Sequence, residues 1–447
     1  MQDLTTGSLS GHLLKTTSFM LVSMIFQTLY VLVDLFWVGR LGTDAIAAVG
    51  LSGNLSFIVI AITQVLAVGA TTVVSHASGR KDQERAILLF NQSQVLSMIV
   101  GLLFLAVAMV LRHQYAASQS ATEGMRIATE QYLLWFIPAM ALQFAMVAMG
   151  AALRGTGNFK PGMYVQTGTV VINMVLAPFL IFGWGPFPEM GVSGAAVATL
   201  LAIVVGVVWI SIYFVDAQAY LRFHFGSWTP QLRVWWEMLK IGLPAGAEFA
   251  LMGIYMAVIY AITKPFGSAA QGGFTIGLRI VQSAFLPVVA LGFAVAPVAG
   301  QNFAAGKGDR VRAAFKAAAG MAAGGMLLAA IGIYLGATAL MRVFTRDPEV
   351  IAVGVEYLQV VVITFAASGI TFVSSSMFQA LGNTMPSLLT SGLRLLASVI
   401  PAIVLSRMAG FHLTWIWYTT AVSVFLQMTL NLLLLQREFR MKLRLAA

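Results

Sequence analysis

The sequence predicts an all-α membrane protein of twelve transmembrane helices, arranged as two similar six-helix halves. Three observations support this fold: the composition, the length of the charge-free segments, and a pattern that recurs at an offset of 225 in the numbering. Of the 447 residues, 59% are hydrophobic and 9% are charged, and the mean hydropathy is +0.87. Soluble domains carry about 25% charged residues, so this composition excludes a water-soluble fold.

The charge-free segments place the helices along the chain. A helix needs about 20 apolar residues to cross roughly 30 Å of hydrocarbon, and most of the charge-free segments reach that length. Segment 357–393 is too long for one span, and the turn residues at 382–386 divide it into two. The predicted spans are 15–39, 47–78, 86–111, 128–152, 162–184, 191–216, 238–263, 270–303, 313–338, 352–380, 386–406 and 412–436.

Basic residues in the loops indicate the orientation. Seventeen Lys and Arg lie in the termini and in the loops on the same side, seven lie in the opposite loops, and two fall inside spans. Because positively charged loops remain in the cytoplasm, we expect both termini on the cytoplasmic side of a bacterial inner membrane. We expect the first helix to remain as an anchor, because no cleavage site follows it. The net charge of +10 then reflects loops at a lipid bilayer, and no nucleic-acid partner is expected.

The repeat relates two turns and a pair of tyrosines. A Gly-Asn-x-x-Pro motif follows the fourth span at 157–161 and the tenth span at 382–386, and Tyr132 and Tyr357 share the same offset. Each half has an even number of spans, so both halves begin on one side and the pseudo-symmetry axis runs along the membrane normal. Chance matching of common turn residues is the alternative, and the shared spacing argues against it. The predicted domains are an N-terminal lobe at 1–215, a cytoplasmic linker at 216–237 and a C-terminal lobe at 238–447.

The sequence carries no signature of an enzyme or of an ATP-driven pump. The absence of Cys excludes disulfides, thiolate metal sites and cysteine nucleophiles. Segment 300–307 is the nearest match to a phosphate-binding loop, and its spacing is wrong. The five histidines show no metal-ligand pairing. We therefore expect no cofactor, no metal site and no enzymatic activity, and we expect any transport to be driven by an ion gradient.

Four ionisable residues stand out inside the predicted spans: Asp34, Glu248, Arg279 and Arg394. Such residues are costly in a bilayer and by default mark ion or substrate pathways. Asp34 has no basic partner in the other spans of its half, and a carboxyl group in an apolar site can bind and release a proton near neutral pH. The alternative is an interfacial acid held by Arg40 or by water.

Glu248 lies about two turns inside the seventh span, in the half that contains both intramembrane arginines. We predict that Glu248 and Arg279 contribute to a polar or substrate-binding site in the C-terminal lobe. A structural ion pair of Glu248 with Arg279 or Arg394 is an equally strong interpretation. For the arginines themselves, packing or pairing roles are favoured over ligand binding.

Together these motifs resemble those of the multidrug and toxic compound extrusion (MATE) transporters. The resemblance covers essentially the whole chain and rests on the first-helix pattern Val33-Asp34-x-x-x-Val38-Gly39-Arg40-Leu41-Gly42, on the two Gly-Asn-x-x-Pro turns, and on Gly242-Leu243-Pro244-x-x-x-Glu248. The first-helix Asp is similar to that of the DinF-like branch. This resemblance implies a V-shaped pair of six-helix bundles that exports cationic or amphipathic drugs in exchange for H⁺ or Na⁺.

The resemblance also implies a cation-coupling site in the N-terminal lobe. Members of that branch use a first-helix Asp, a Tyr one turn earlier, a fifth-helix Asn and a sixth-helix Thr. In this sequence those positions match Asp34, Tyr30, Asn173 and Thr199.

Two positions depart from the family pattern. Members often carry a second acid one turn after the fifth-helix Asn, and this chain has Ala177 there. A single carboxylate favours a proton over a coordinated Na⁺. Members also often have a Pro in the first helix well before the Asp, and this chain has Phe19 at that place, whereas the second half has Pro244. We therefore do not expect a protonation-driven bend of the first helix.

The sequence thus predicts a monomeric, proton-coupled multidrug exporter that works by alternating access, with Asp34 as the coupling carboxylate. Its expected partners are cationic or amphipathic small molecules and the lipid bilayer. A flippase for lipid-linked or polysaccharide substrates is the alternative with the same architecture. A flippase would need several cationic groups to hold a diphosphate, and only Arg279 and Arg394 are available inside the spans. The sequence therefore disfavours the flippase alternative.

Overall fold

The computed structural model describes residues 2–216 and 218–443, and these residues form long α-helices joined by short loops. The helices are α1 (Leu9–Val38), α2 (Thr43–Gly79), α3 (Gln83–Gln119), α4 (Glu123–Gly155), α5 (Lys160–Phe182), α6 (Val192–Val215), α7 (Leu232–Thr263), α8 (Ser268–Ala304), α9 (Gly308–Phe344), α10 (Pro348–Val361), α11 (Phe365–Ala380), α12 (Met385–Ser406) and α13 (Leu413–Lys442).

Within the described residues, twelve helical segments are long and apolar enough to cross a membrane. Eleven are single α-helices, some with a short 3₁₀ extension, and the twelfth is Pro348–Ala380, in which α10 and α11 are joined by a 3₁₀ turn at Val362–Thr364. The predicted number and order of spans are therefore confirmed, and the chain is an all-α, multi-pass membrane protein.

Several helices extend beyond the apolar segments that predicted them. α3, for example, continues well past both ends of the predicted span 86–111. At its start, the Asp82 side chain accepts a hydrogen bond from the backbone N–H of Arg85 at 3.0 Å, which satisfies one of the free donors at a helix N-terminus. Thr122 caps α4 in the same way through the N–H of Met125, at 3.2 Å. In these longer helices the charge-free segment marks only the central part, whereas α5, α6 and α12 nearly coincide with their predicted spans.

The repeated Gly-Asn turns adopt the same conformation in both halves. Gly157 and Gly382 have positive φ angles of 78° and 71°, a backbone region that residues with a Cβ atom rarely occupy. In each turn the backbone N–H of the following Asn donates to a carbonyl oxygen of the preceding helix, that of Leu153 at 3.1 Å for Asn158 and that of Phe378 at 3.0 Å for Asn383. This bond is typical of a Schellman helix C-cap, so the structure reproduces the sequence repeat at these turns.

The chain divides into two compact units. The N-terminal unit consists mainly of Ser18–Gly246, and the C-terminal unit consists of Leu4–Thr17 and the chain from Ala247 onward. This division falls inside α1 and α7, whereas the predicted domains divide in the loop at 216–237. Each unit has its own apolar core. Fully buried side chains include Phe90, Phe144 and Phe214 in the N-terminal unit and Phe274, Phe365 and Phe378 in the C-terminal unit.

Asn91 of α3 attaches the loop that follows α6 to the N-terminal unit. Its side-chain Nδ2 donates to the backbone carbonyl of Arg222 at 3.0 Å. Its Oδ1 accepts hydrogen bonds from the backbone N–H of His224 at 3.0 Å and from Trp228 Nε1 at 2.8 Å. One buried amide therefore satisfies three polar groups of the loop, which cannot be left unpaired without a cost.

Gln92, the next residue of α3, binds the later part of the same loop. Its Nε2 donates to the carbonyls of Ser227 and Thr229 at 2.6 and 2.8 Å, and its Oε1 accepts from the backbone N–H of Gln231 at 3.0 Å. The two adjacent amides hold the loop between α6 and α7 against α3, so it is a docked element of the N-terminal unit.

We expect Asn91→Ala to release this loop. Three hydrogen bonds are lost, each with a net contribution of about 1 kcal/mol, so the loop opens more often and trypsin cleaves after Arg222 or Arg233 more than about tenfold faster. Limited proteolysis of the purified protein measures this rate. Gln119→Ala, at the exposed opposite end of α3, is the control and should be cleaved at the wild-type rate. Equal cleavage of Asn91→Ala and wild type would show that the amide does not hold the loop.

Candidate functional site

Asp34 is a buried carboxylate on α1 of the N-terminal unit. Its side chain is 8% exposed, and its Oδ1 is buried with no hydrogen-bond partner among the described residues. Arg40, the base nearest in sequence, does not contact it. The Arg40 guanidinium lies over the rings of Phe36 and Trp37, at 4.6 and 5.2 Å from their centroids, in cation–π contacts. The structure therefore does not show the alternative, an ion pair between Arg40 and Asp34.

Tyr30, Asn173 and Thr199 meet around one hydroxyl group. Asn173 Nδ2 on α5 donates to Thr199 Oγ1 on α6 at 3.0 Å, and the Tyr30 hydroxyl lies 3.1 Å from the same oxygen. Thr199 has a single hydroxyl proton, which it donates to the carbonyl of Ala195 at 3.1 Å. Its oxygen therefore accepts from both neighbours, so Tyr30 is the donor in its pair. The resemblance predicted that Tyr30, Asn173 and Thr199 belong to one site, and the structure shows them in contact.

Two acceptor oxygens of this cluster are unsatisfied. When Asn173 donates through Nδ2, its Oδ1 is left buried without a partner, as Asp34 Oδ1 is. Asp34 interacts electrostatically with Tyr30, one turn earlier on the same helix. Buried acceptors without donors are rare in native proteins and call for a specific explanation. A proton or a cation near Asp34 would supply the missing donor or positive charge.

Tyr132 on α4 belongs to the same surroundings, although the sequence did not place it in the site. Its side chain is buried, and its hydroxyl interacts electrostatically with both Asp34 and Tyr30. In the sequence, its repeat match to Tyr357 indicates the internal symmetry and gives no sign of this position. Ala177, at the position where the resemblance leads one to look for a second acid, is also buried. Because it is an alanine, Asp34 remains without a second carboxylate at this position.

Among the described residues, the structure contains no group of three or more His, Cys, Asp or Glu side chains that could hold a metal ion. The N-terminal cluster offers one carboxylate, one amide oxygen and hydroxyl groups. Such a donor set suits a proton on Asp34 or a weakly held monovalent cation, and it lacks the several carboxylates typical of a divalent-metal site.

In the C-terminal unit, Glu248 is bound by hydroxyl groups. Its Oε1 accepts hydrogen bonds from Ser387 and Ser391 on α12, at 2.5 and 2.9 Å. The structure does not bring Arg279 to this carboxylate: Arg279 is exposed on α8, and none of its described contacts is with Glu248. The predicted proximity of the two residues is therefore not observed, and the possible ion pair between them is absent from the described contacts.

Glu130 and Glu356 lie inside the predicted spans 128–152 and 352–380 and were not singled out from the sequence. Glu130 of α4 forms an ion pair with Arg126 at 2.5 Å and lies 3.2 Å from Nδ1 of His113. Glu356 of α10 accepts a hydrogen bond from Thr414. Glu130 has basic partners close in sequence, which distinguishes it from the unpaired Asp34.

Twelve membrane-spanning segments, two halves related by an internal repeat and a buried acid without a counter-charge define a membrane transporter built from two homologous halves. The MatE family model matches the chain twice, at residues 20–179 and 244–404. The chain therefore belongs to the MatE family of transporters, as its motifs predicted, and is not an enzyme. The starts of the two matches are offset by 224 in the numbering and their ends by 225, which agrees with the repeat found in the sequence.

Curated relatives resemble the chain over nearly its full length. It is 24% identical to a probable multidrug resistance protein of Bacillus subtilis, over 91% of this chain and 89% of the relative. It is 23% identical to a probable multidrug resistance protein of Thermotoga maritima, over 92% and 88%. Its fold is similar to the crystal structure of a MATE protein in the bent conformation, with a TM-score of 0.92, 23% identity and coverage of 99% and 98%.

Proposed function

We propose that the protein is a proton-coupled exporter of cationic and amphipathic drugs, with Asp34 as the coupling carboxylate. The observation that carries this proposal is the buried Asp34 Oδ1, which has no hydrogen-bond partner or counter-charge among the described residues. The two curated relatives described above are named as multidrug resistance proteins, which supports efflux of several drugs as the activity.

Protonation and cation binding compete at such a carboxylate. When Asp34 is ionised, its negative charge attracts a positively charged substrate, because few other charges lie nearby to screen it. When a proton binds, the attraction is lost and the substrate is released. Neutralisation also removes the cost of keeping a charge in an apolar site, so the protonated protein can populate a conformation that the ionised protein avoids.

The residues around this carboxylate connect three helices. Tyr30, Asn173 and Thr199 form a hydrogen-bonded group that joins α1, α5 and α6, so a change at Asp34 can reach two other helices. The single carboxylate supports H⁺ as the coupling ion, since Ala177 leaves no second acid to help coordinate Na⁺. We also propose that the protein acts as a monomer in a bacterial inner membrane, with both termini in the cytoplasm and without a cofactor.

Proteoliposomes with an acidic interior test the coupling. Protons that leave the vesicle should drive ethidium inward, and a gradient of about one pH unit is worth about 1.4 kcal/mol per proton. With one proton exchanged for one monovalent cation, ethidium should accumulate up to about tenfold. The fluorescence of ethidium bound to trapped DNA reports this accumulation, while valinomycin and equal K⁺ on both sides hold the membrane potential at zero.

Two matched conditions identify the coupling ion. Nigericin, which exchanges K⁺ for H⁺ and collapses the pH gradient, should abolish the accumulation. A Na⁺ gradient at uniform pH should produce none. Accumulation driven by Na⁺ alone would replace the proton in this scheme, and accumulation without either gradient would contradict ion-coupled antiport.

A further inference from the structure

A cluster in the C-terminal unit is the counterpart of the Asp34 cluster. Tyr255 corresponds to Tyr30 at the offset that defines the internal repeat. The Tyr255 hydroxyl forms a hydrogen bond of 3.0 Å with Thr420, as Tyr30 does with Thr199 at 3.1 Å. In each half, a Tyr on the first helix is thereby joined to a Thr on the last. The two halves therefore share a Tyr–Thr contact between their first and last helices, with Thr420 one turn before the position that corresponds to Thr199.

The two sites differ in charge. At the same offset, Asp34 corresponds to Ile259, whose side chain is fully buried. The charge in the C-terminal cluster comes instead from Arg394 of α12, which donates a hydrogen bond to Gln427 of α13, the helix that also carries Thr420. The C-terminal site thus carries a positive group, and the N-terminal site carries a negative one.

The guanidinium of Arg394 has hydrogen-bond donors to spare. Arginine carries five N–H donors, and the described contacts use Nη1, which donates to Gln427 Oε1 at 3.3 Å. Gln427 is oriented by its own Nε2, which donates to Ser391 Oγ at 2.9 Å. No carboxylate among the described residues lies within ion-pair distance of Arg394.

Arg394 lies on the polar face of α12, near the middle of the span. Ser387, Ser391 and Ser398 share this face at helical spacing. The opposite face exposes the large apolar side chains Leu389, Leu393, Leu396 and Ile400. Because the surface in contact with lipid must be apolar, the bilayer meets the leucine face, and the half-buried Arg394 lies on the face turned away from it.

Glu248 is the acid closest to this arginine through hydrogen bonds, but the two groups are not in contact. The Glu248 carboxylate accepts from Ser391, which in turn accepts from Gln427, the partner of Arg394. Two neutral side chains therefore separate the charges. An intramembrane charge with no contacting counter-charge marks a functional site by default, and a planar guanidinium is suited to a bidentate anion.

We propose that Arg394, supported by Gln427, binds the anionic group of an exported organic compound: a carboxylate, a sulfonate or a phosphate. The inference rests on the proposed export function and extends its substrate class from cations to zwitterions and organic anions. Binding itself is testable without a gradient, so the two proposals can fail separately.

Two xanthene dyes of similar size and opposite charge test the proposal. Fluorescein is anionic and rhodamine 123 is cationic, and fluorescence anisotropy measures the affinity of each for the purified protein in detergent. Arg394→Gln should weaken fluorescein binding about tenfold or more, as expected for the loss of a charged hydrogen-bond donor, and should leave rhodamine 123 binding unchanged. Asp34→Asn should show the reverse pattern. Arg394→Lys keeps the positive charge but loses the planar pair of donors, so its fluorescein affinity should lie between those of the wild type and Arg394→Gln.

Each outcome decides the question. Equal fluorescein affinity in wild type and Arg394→Gln overturns the anion site, as does the absence of fluorescein binding to the wild type. Equal loss of fluorescein binding in Asp34→Asn and Arg394→Gln also overturns it, because the anion would then not be selective for the C-terminal cluster. If Arg394→Gln folds poorly, Arg394→Lys replaces it, and wild-type fluorescein affinity in that well-folded variant would overturn recognition by the guanidinium.

Discussion

We expect Asp34→Asn to reduce gradient-driven accumulation of ethidium to the level of protein-free vesicles. Asn has nearly the size and shape of Asp, so the packing of α1 is preserved, but it neither carries a negative charge nor exchanges a proton. The structure provides no substitute in the N-terminal cluster, where Ala177 occupies the place of a second acid and Tyr30 is already the donor to Thr199. Transport should therefore be lost, and binding of a cation should weaken as well.

Matched variants separate loss of coupling from loss of folding. Asp309→Asn removes an acid whose side chain is fully exposed, and it should accumulate ethidium as the wild type does. Asp34→Glu keeps the carboxylate and should retain part of the activity. The thermal unfolding temperature of Asp34→Asn in detergent should equal or exceed that of the wild type, because a buried ionisable group has been replaced by a neutral one. Wild-type accumulation by Asp34→Asn would reject the coupling role.

The sequence was sufficient to predict the spans because the bilayer requires a minimum apolar length of every helix that crosses it. Residues 86–111 and 162–184 are recognisable without any tertiary information, since about 20 charge-free and mostly apolar residues in succession have no other common explanation. The ends of α3 could not be predicted in the same way. They depend on local caps such as Asp82 and on polar segments that are helical outside the hydrocarbon, where apolar length gives no signal.

The candidate site was predicted in part. Asp34 was found because a charge inside an apolar segment is visible in one dimension, and Tyr30, Asn173 and Thr199 followed from the family resemblance. Tyr132 was missed because its proximity to Asp34 depends on how α4 packs, which a residue pattern does not reveal. We predicted a shared site for Arg279 and Glu248 because both lie in the same half of the chain. The structure instead shows Arg279 exposed on α8, and the position within a half does not determine which helix faces meet.

The crossing of α2 and α7 inside the N-terminal unit depends on glycines that bring two backbones into contact. A Cβ atom built on Gly242 would overlap the carbonyl oxygen of Val65, and one on Gly246 would lie 2.8 Å from that of Ala61. From the opposite helix, a Cβ on Gly69 would lie 2.7 Å from the carbonyl oxygen of Met238. Small residues at helix crossings are a general means of association in membranes, where there is no hydrophobic drive between helices.

We therefore expect Gly242→Ala to destabilise the protein strongly. The added methyl group meets backbone atoms of Val65, which cannot rotate away as a side chain would, so the helices must separate. Overpacking of this kind costs about 1–3 kcal/mol or more, which exceeds the gain of about 1 kcal/mol from replacing Gly by Ala in a helix.

Gly253→Ala makes the same substitution in the same helix at a position with no atom within 4 Å, so it should be neutral or slightly stabilising. Thermal unfolding in detergent, followed by size-exclusion chromatography, compares the two variants directly, and equal melting temperatures would show that the close crossing does not limit stability.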